Sequence, residues 1–257
     1  MRFASLGSGS QGNGLVVEAG STRILLDCGF SLDETVHRLG QCGLVPEDLD
    51  AIVVTHEHDD HIGGVARFAA RYGLPVYLTH GTFKVLDGAR PFLAEVILID
   101  SHTAVAVGDI EIQPYPVPHD AREPTQFIFR DGALRLGVLT DVGEPTPHIR
   151  SMLSGVDALM LECNHDCAML ANGAYPAWLK RRIGSRFGHL DNAAAAALLA
   201  HLDCSRLQHV VAAHLSQQNN TPALARSALA GALGCSPDWI QVATQAGGAG
   251  WLEINPP

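Results

Sequence analysis

The chain has 257 residues, 47% hydrophobic and 17% charged, the balance of a folded globular protein and not of a disordered one. A formal charge of −10 argues against a basic nucleic-acid surface, although bound divalent metals would offset several of the acids. No apolar run reaches the ~18 residues that span a bilayer, and the first residues enter a strand-like pattern without the apolar core of a signal peptide, so no membrane association and a cytoplasmic location are expected.

Short apolar runs alternate with helical stretches along the whole chain. Strands are predicted at 3–6, 15–18, 23–27, 51–55, 76–78, 96–99, 104–107, 110–114, 126–130, 134–140, 158–162, 209–213, 240–244 and 251–254. Helices are predicted at 33–40, 63–72, 145–153, 176–183, 192–202 and 222–233. Asp191 or Asn192 is a candidate cap for the Ala-rich helix, and Thr221-Pro222 reads as an N-cap followed by Pro at the first helical position. Hairpin-rich stretches mixed with strand–helix–strand units bury such runs on both faces when two mixed sheets carry helices outside them. The expected fold is therefore α/β, a four-layer αββα sandwich. With no repeat and no shift of composition, one domain over 1–257 is expected.

The segment after the run 51–55 carries the chemistry. His56-Glu57-His58-Asp59-Asp60-His61 packs histidines and acids together, and unmetallated they would be costly to desolvate. His56 and His58 are two apart, which at a strand end aims both imidazoles at one point. Asp60 and His61 lie one turn later and face an adjacent point, and Ile62-Gly63-Gly64 lets the backbone pass close by and start a helix. Imidazole with carboxylate suits zinc, manganese or iron better than calcium or magnesium. A two-metal site needs more ligands. His119, Asp141 and His214 each follow an apolar run, where side chains collect at one sheet edge, and with the cluster they complete two sites.

T-H-x-H-x-D-H-I-G-G followed by His119, Asp141 and His214 resembles the metallo-β-lactamase superfamily. That resemblance implies His56, His58 and His119 on a first metal, Asp60, His61 and His214 on a second, and Asp141 bridging them. A narrower resemblance is to the YycJ/WalJ group, bacterial proteins regarded as 5′-to-3′ DNA exonucleases. It is carried by the loop 6–13 with Ser8, Ser10 and Asn13, by 118–124, by Glu162-Cys163-Asn164-His165-Asp166, and by Gly188-His189-Leu190-Asp191-Asn192 with the segment 214–220. Gln11 and Asp191 depart from the group's pattern; neither is among the ligands the resemblance implies for the two metals, so the departures bear on substrate contacts and not on that site.

Physically, the Gly-rich loop with Ser8, Ser10 and Asn13 suits an anion, a tight turn being the other reading. His165 and His189 suit phosphate binding or protonation of a leaving oxygen. Asn219 and Asn220 suit phosphate contact or helix capping, and Glu162 is placed to orient a metal-bound histidine. Lys180, Arg181, Arg182 and Arg186 form a basic stretch without an acid between Pro176 and Leu190, read as a phosphate contact through Arg182 and Arg186 or as a solvated helix face.

The expected function is metal-assisted phosphodiester hydrolysis, a DNA exonuclease with two divalent ions, zinc first, and a metal-bridging hydroxide as nucleophile that Asp60 also orients. No β-CASP insertion fits between Asp141 and His214. The alternatives are a small-molecule hydrolase acting on a cyclic phosphodiester, thioester or lactone, and a non-catalytic metal-binding protein. The sequence implies no obligate protein partner. Cys163 and Cys167 flank His165 without a C-x-x-C pattern, and their roles stay open.

Overall fold

Alternating burial in the predicted runs is realised as two sheets packed face to face. A computed structural model describes residues 1–86, 88, 93 and 95–256. The strands in chain order are β1 (Arg2–Gly7), β2 (Gly14–Ala19), β3 (Thr22–Leu26), β4 (Ala51–Val53), β5 (Pro75–Thr79), β6 (Glu95–Ile99) and β7 (Val105–Val107), then β8 (Ile110–Pro116), β9 (Thr125–Asp131), β10 (Leu134–Leu139), β11 (Ala158–Glu162), β12 (His209–Ala213), β13 (Gln241–Val242) and β14 (Ala249–Glu253). One sheet runs β14-β1-β2-β3-β4-β5-β6 and the other β13-β12-β11-β10-β9-β8-β7.

Each sheet shows the period-two logic of a strand buried on both faces. Leu15, Val17, Ile24, Leu26, Ala51 and Val53 point between the sheets, where they meet Leu136, Val138, Met160 and Val211. Their neighbours Val16, Leu25 and Ile52 point outward, under α1 (Leu32–Gln41), α3 (Val65–Tyr72) and α4 (His80–Leu86), which follow in order around α2 (Asp59–Ile62). On the second sheet Leu159, Leu161, Val210 and Ala212 point outward under α5 (Pro147–Leu153), α8 (Asn192–Ala200) and α9 (Pro222–Leu233). Between α5 and α8 lie the short α6 (Cys167–Asn172) and α7 (Ala177–Ile183). The result is the expected αββα sandwich.

Caps set the helix starts. Thr146 accepts from the Ile149 amide, so α5 begins two residues later than expected. Asp191 caps α8 through the Ala193 and Ala194 amides, and Thr221 caps α9 through Leu224. The helix expected at 63–72 forms as α3 and starts two residues later than expected, because a separate helical turn, Asp59–Ile62, precedes it and ends against Gly63. Gly64 sits against the Cys28 and Phe30 carbonyls, the close approach its sequence context implied. The helices α2, α4 and α6 had no sequence counterpart. Among the described residues, no helix is long and apolar enough to cross a membrane.

β3 to β6 are parallel to one another, as are β10 to β13. Their carboxyl ends deliver Asp27, His56, Asp141, Glu162 and His214 to one edge of the sandwich.

Candidate metal centre

Three imidazoles form the first donor set. His56 Nε2 lies 3.0 Å from His58 Nδ1, and His119 Nε2 lies 3.3 Å from the same atom. The remaining ring nitrogens of the two buried members are anchored elsewhere. Thr55 Oγ1 is 2.9 Å from His56 Nδ1, and His119 Nδ1 donates to the Gly188 carbonyl at 3.0 Å. Such anchoring fixes the tautomer and leaves one lone pair free on each ring. Burial, and then the neighbouring His61, push the His56 pKa well down; burial likewise lowers that of His119. These are neutral imidazoles with converging lone pairs.

The second set is acidic. Asp60 Oδ2 is 3.5 Å from His61 Nε2 and 3.5 Å from His214 Nε2. Asp141 Oδ2 is 3.0 Å from His61 Nε2, and its Oδ1 is 2.9 Å from His214 Nδ1 and 4.0 Å from His119 Nε2. Asp141 thus reaches both sets. His61 Nδ1 donates to Asp27 at 2.7 Å, and Asp27 also accepts from the Thr55 amide at 2.9 Å. Burial opposes a proton on His61 and His214, but the carboxylates outweigh it: His61 is raised well above the histidine range and His214 to about 10. Burial also opposes the charge on Asp60 and Asp141, yet these two histidines hold both carboxyls below the usual range.

Two observations show that the residues fit divalent metal. The buried Asp141 Oδ2 makes no well-directed hydrogen bond among the described residues although His61 Nε2 lies 3.0 Å away, so its lone pairs are aimed elsewhere in a protein interior. The imidazole and carboxylate donors also form groups, His56 with His58 and His119, and Asp60 with His61 and His214, whose ligand atoms lie within 4.8 Å of one another.

The backbone is strained at the same place. Asp27, Asp141 and His214, at φ 60°, 51° and 52°, are the described non-glycine residues with positive φ. Each costs about 1–2 kcal/mol, and each turns a side chain inward at the end of a parallel strand.

Above the donors opens a cavity of about 400 Å³, lined on its floor by His58, Asp60, Asp141 and His214 and on its wall by Tyr175, Leu179, Arg182 and His189. His189 Nδ1 donates to Glu162 Oε1 at 2.7 Å and lies 3.5 Å from Asp141 Oδ1. Burial opposes its proton, but Glu162 overrides burial and raises the pKa. Glu162 itself is fully buried and accepts from the Val142 and Leu190 amides. It therefore orients His189, with His214 Nδ1 3.6 Å away.

The structure redistributes the other expected contacts. Ser10 lines the cavity, but Ser8 and Asn13 do not. Ser8 Oγ accepts from the His214 amide at 2.9 Å, and Asn13 Nδ2 donates to the Asp60 carbonyl, so both hold metal-site residues from behind. Asn220 is buried in a reciprocal amide pair with Asn192, and Asn219 is buried beside Ser216; neither side chain lines the cavity. His165 is 3% exposed and likewise lies off the cavity. Arg182 is on its wall, paired with Asp120 at 2.6 Å, whereas Arg186 pairs with Glu144 at 2.7 Å in a separate depression.

Sequence reasoning passed over Asp27 and Asp120. Both carried a signal: Asp27 closes the run 23–27 just as Asp141 follows 134–140, and Asp120 directly follows His119.

Comparison with known proteins agrees with this geometry. Residues 22–214 match the beta-lactamase superfamily domain. The chain is similar to exodeoxyribonuclease YycJ of Bacillus anthracis, 36% identical over 88% of this chain and 86% of the relative. It is similar to exodeoxyribonuclease WalJ of Streptococcus pneumoniae serotype 2, 33% identical over 87% and 85%. In structure it resembles the metallo-beta-lactamase fold protein YhfI from Bacillus subtilis, with a TM-score of 0.76, 17% identity and 98% of each chain covered. The sandwich, the paired donor sets at its strand ends and these likenesses together establish that the chain belongs to the beta-lactamase superfamily, with the metallo-β-lactamase fold.

Proposed function

We propose that the chain is a two-metal phosphodiesterase, a DNA exonuclease of the cytoplasm, built as one domain without a β-CASP insertion and using zinc. The observation that carries this reading is the shared carboxylate: Asp141 reaches an imidazole set on one side and an acidic set on the other, at the floor of an open cavity. The likeness to two exodeoxyribonucleases over most of both chains supports DNA as substrate.

His56, His58 and His119 would hold one ion and Asp60, His61 and His214 the other, with Asp141 between them. Divalent ions there supply an activated water at neutral pH and charge for the non-bridging phosphate oxygens. The remaining work falls to side chains of this chain. Asp60 Oδ2, on the cavity floor between two imidazoles, orients a water toward the phosphorus. His189 keeps its Nδ1 proton on Glu162 and presents Nε2 as the second protonated position, placed to hold a phosphate oxygen or to give its proton to the leaving oxygen. His165, off the cavity, has no such access. Arg182, oriented by Asp120, and Ser10 receive the phosphate flanking the scissile bond.

One observation favours a second reading, a hydrolase of small phosphodiesters, thioesters or lactones. Arg182 and Arg186 are each already paired with an acid, so the basic stretch offers less free charge than its sequence suggests. End-labelled DNA and p-nitrophenyl phosphodiester, thioester and lactone substrates separate the two. Stepwise release of mononucleotides supports the exonuclease; turnover of thioester or lactone with intact DNA overturns it.

A further inference from the structure

Outside the cavity, a second group of donors converges. His165, Cys167 and Asp191 each offer a ligand atom within 4.8 Å of the others. None lines the cavity described above. His165 comes from the β11–α6 turn, Cys167 opens α6, and Asp191 is the residue that caps α8. The two segments are fastened together, since His165 and Asp191 form a parallel bridge and the Asn192 amide donates to the His165 carbonyl at 2.9 Å. The donors are therefore held in place by backbone and do not depend on flexible side chains meeting by chance.

Each donor has one valence left for a ligand. His165 Nδ1 is 3.3 Å from Asn164 Oδ1. With its proton held there, Nε2 is the ring's free lone pair. Asp191 Oδ1 takes the Ala193 and Ala194 amides, and the Cys167 thiol hydrogen-bonds the Asp191 carboxylate, so a metal would stand where the thiol proton now lies between sulfur and oxygen. Cys167 is solvent-exposed, unlike the buried Cys163 four residues earlier, so an ion has a way in. Sulfur, imidazole nitrogen and carboxylate oxygen together select a borderline-soft ion such as zinc over magnesium or calcium.

We propose that His165, Cys167 and Asp191 form a third divalent-metal site, a zinc site with a thiolate ligand, which ties the β11–α6 turn to the start of α8. Binding forms one Zn–S bond and releases the thiol proton to solvent. The clamp reaches the catalytic centre through one residue. Asn164 contacts His165 with Oδ1 and donates from Nδ2 to the His214 carbonyl at 3.0 Å, so an occupied site stiffens the backbone that carries a catalytic metal ligand.

Cobalt(II) and zinc binding to the full chain, compared with Cys167→Ser and Asp191→Ser, test this. Ser at 191 keeps a capping hydroxyl while removing the carboxylate. Wild type is expected to show a near-ultraviolet thiolate-to-cobalt charge-transfer band, lost in Cys167→Ser and weakened in Asp191→Ser. Elemental analysis is expected to find one fewer zinc equivalent in Cys167→Ser, with the catalytic equivalents retained. Zinc should also protect the wild-type Cys167 thiol from a disulfide reagent. Absence of the band at saturating cobalt, its persistence in Cys167→Ser, or equal zinc content in the two proteins would overturn the site. No substrate enters these readouts, so their failure and the failure of the phosphodiesterase reading are told apart.

Discussion

The two donor sets that meet at Asp141 are built by different means. His56 and His58 are crowded by short spacing at a strand end, His119 joins them from the far side of the site, burial keeps the His56 and His119 rings neutral, and Asp120 is the acid that touches their rim. Asp60, His61 and His214 sit among ionised carboxylates, and two of the three residues with strained backbone, Asp141 and His214, belong to this side; the third, Asp27, orients His61. In the first set, the His56 and His119 rings offer uncharged lone pairs to a cation. In the second, protons on His61 and His214 stand where a cation would. Metal must therefore displace protons from one set and little from the other, and the two positions should differ in strength, pH response and tolerance of substitution.

The largest effect is expected where the sets join. Asp141→Ala removes the shared carboxylate and leaves His61 and His214 without their main counter-charge. Hydrolysis should fall by orders of magnitude and metal content should drop, while circular dichroism keeps the wild-type fold. Near-wild-type turnover at saturating metal would show that the sets act separately.

Asp27→Asn acts on one side. The amide still accepts from the Thr55 amide but cannot accept the His61 Nδ1 proton. Zinc affinity at the acidic position should weaken roughly 10–100-fold, with the imidazole position unchanged, as read by competition with a chromophoric chelator. Equal weakening of both positions would erase the distinction drawn here.

Proton release sharpens it further. His61 and His214 have raised pKa values, so below them both rings carry protons that metal must expel. Affinity at the acidic position should fall as pH is lowered from about 10, by up to tenfold per unit for each proton displaced. His56 and His119 have lowered pKa values, so these two rings give up no proton to a metal in the ordinary histidine range and the imidazole position should lose less affinity than the acidic one as pH falls. Calorimetry in buffers of different ionisation heat counts the protons. A pH-independent second step would contradict the charge assignment.

The smallest effect concerns substrate. Arg182→Ala, on the cavity wall, should weaken DNA binding and reduce the salt slope by about one. Arg186→Ala, in its separate depression, should change neither. Equal effects of the two across a salt series would return the basic stretch to a single undivided surface.

The two donor sets also differ in how far they could be read from sequence. His56 and His58 follow from two-residue spacing at a strand end, which is local information. So does the alternation that forms each strand, as in 15–18, where Leu15 and Val17 face one core and Val16 the other. His119, Asp141 and His214 were legible only as residues ending apolar runs; the parallel order of β10 to β12 turned that hint into proximity for Asp141 and His214, and the loop after β8 brings His119 to them. Asp27 was missed because its partner His61 is 34 positions away. Ser8, Asn13, Asn219 and Asn220 were legible as polar loop residues but not in direction. The Ser8 hydroxyl and the Asn13 and Asn220 amides are consumed by backbone groups of neighbouring loops, and Asn219 turns to the Ser216 hydroxyl, partners that only the packed structure supplies. Arg182 and Arg186 were equivalent in sequence until Asp120 and Glu144, from elsewhere in the chain, separated them.

The most direct test of the paired centre is an anomalous-scattering map from crystals grown with ample zinc. The account predicts two peaks flanking Asp141, one against His56, His58 and His119 and the other against Asp60, His61 and His214. An intact fold with no peak between His58 and His214, or with a single peak that Asp141 does not touch, would contradict it.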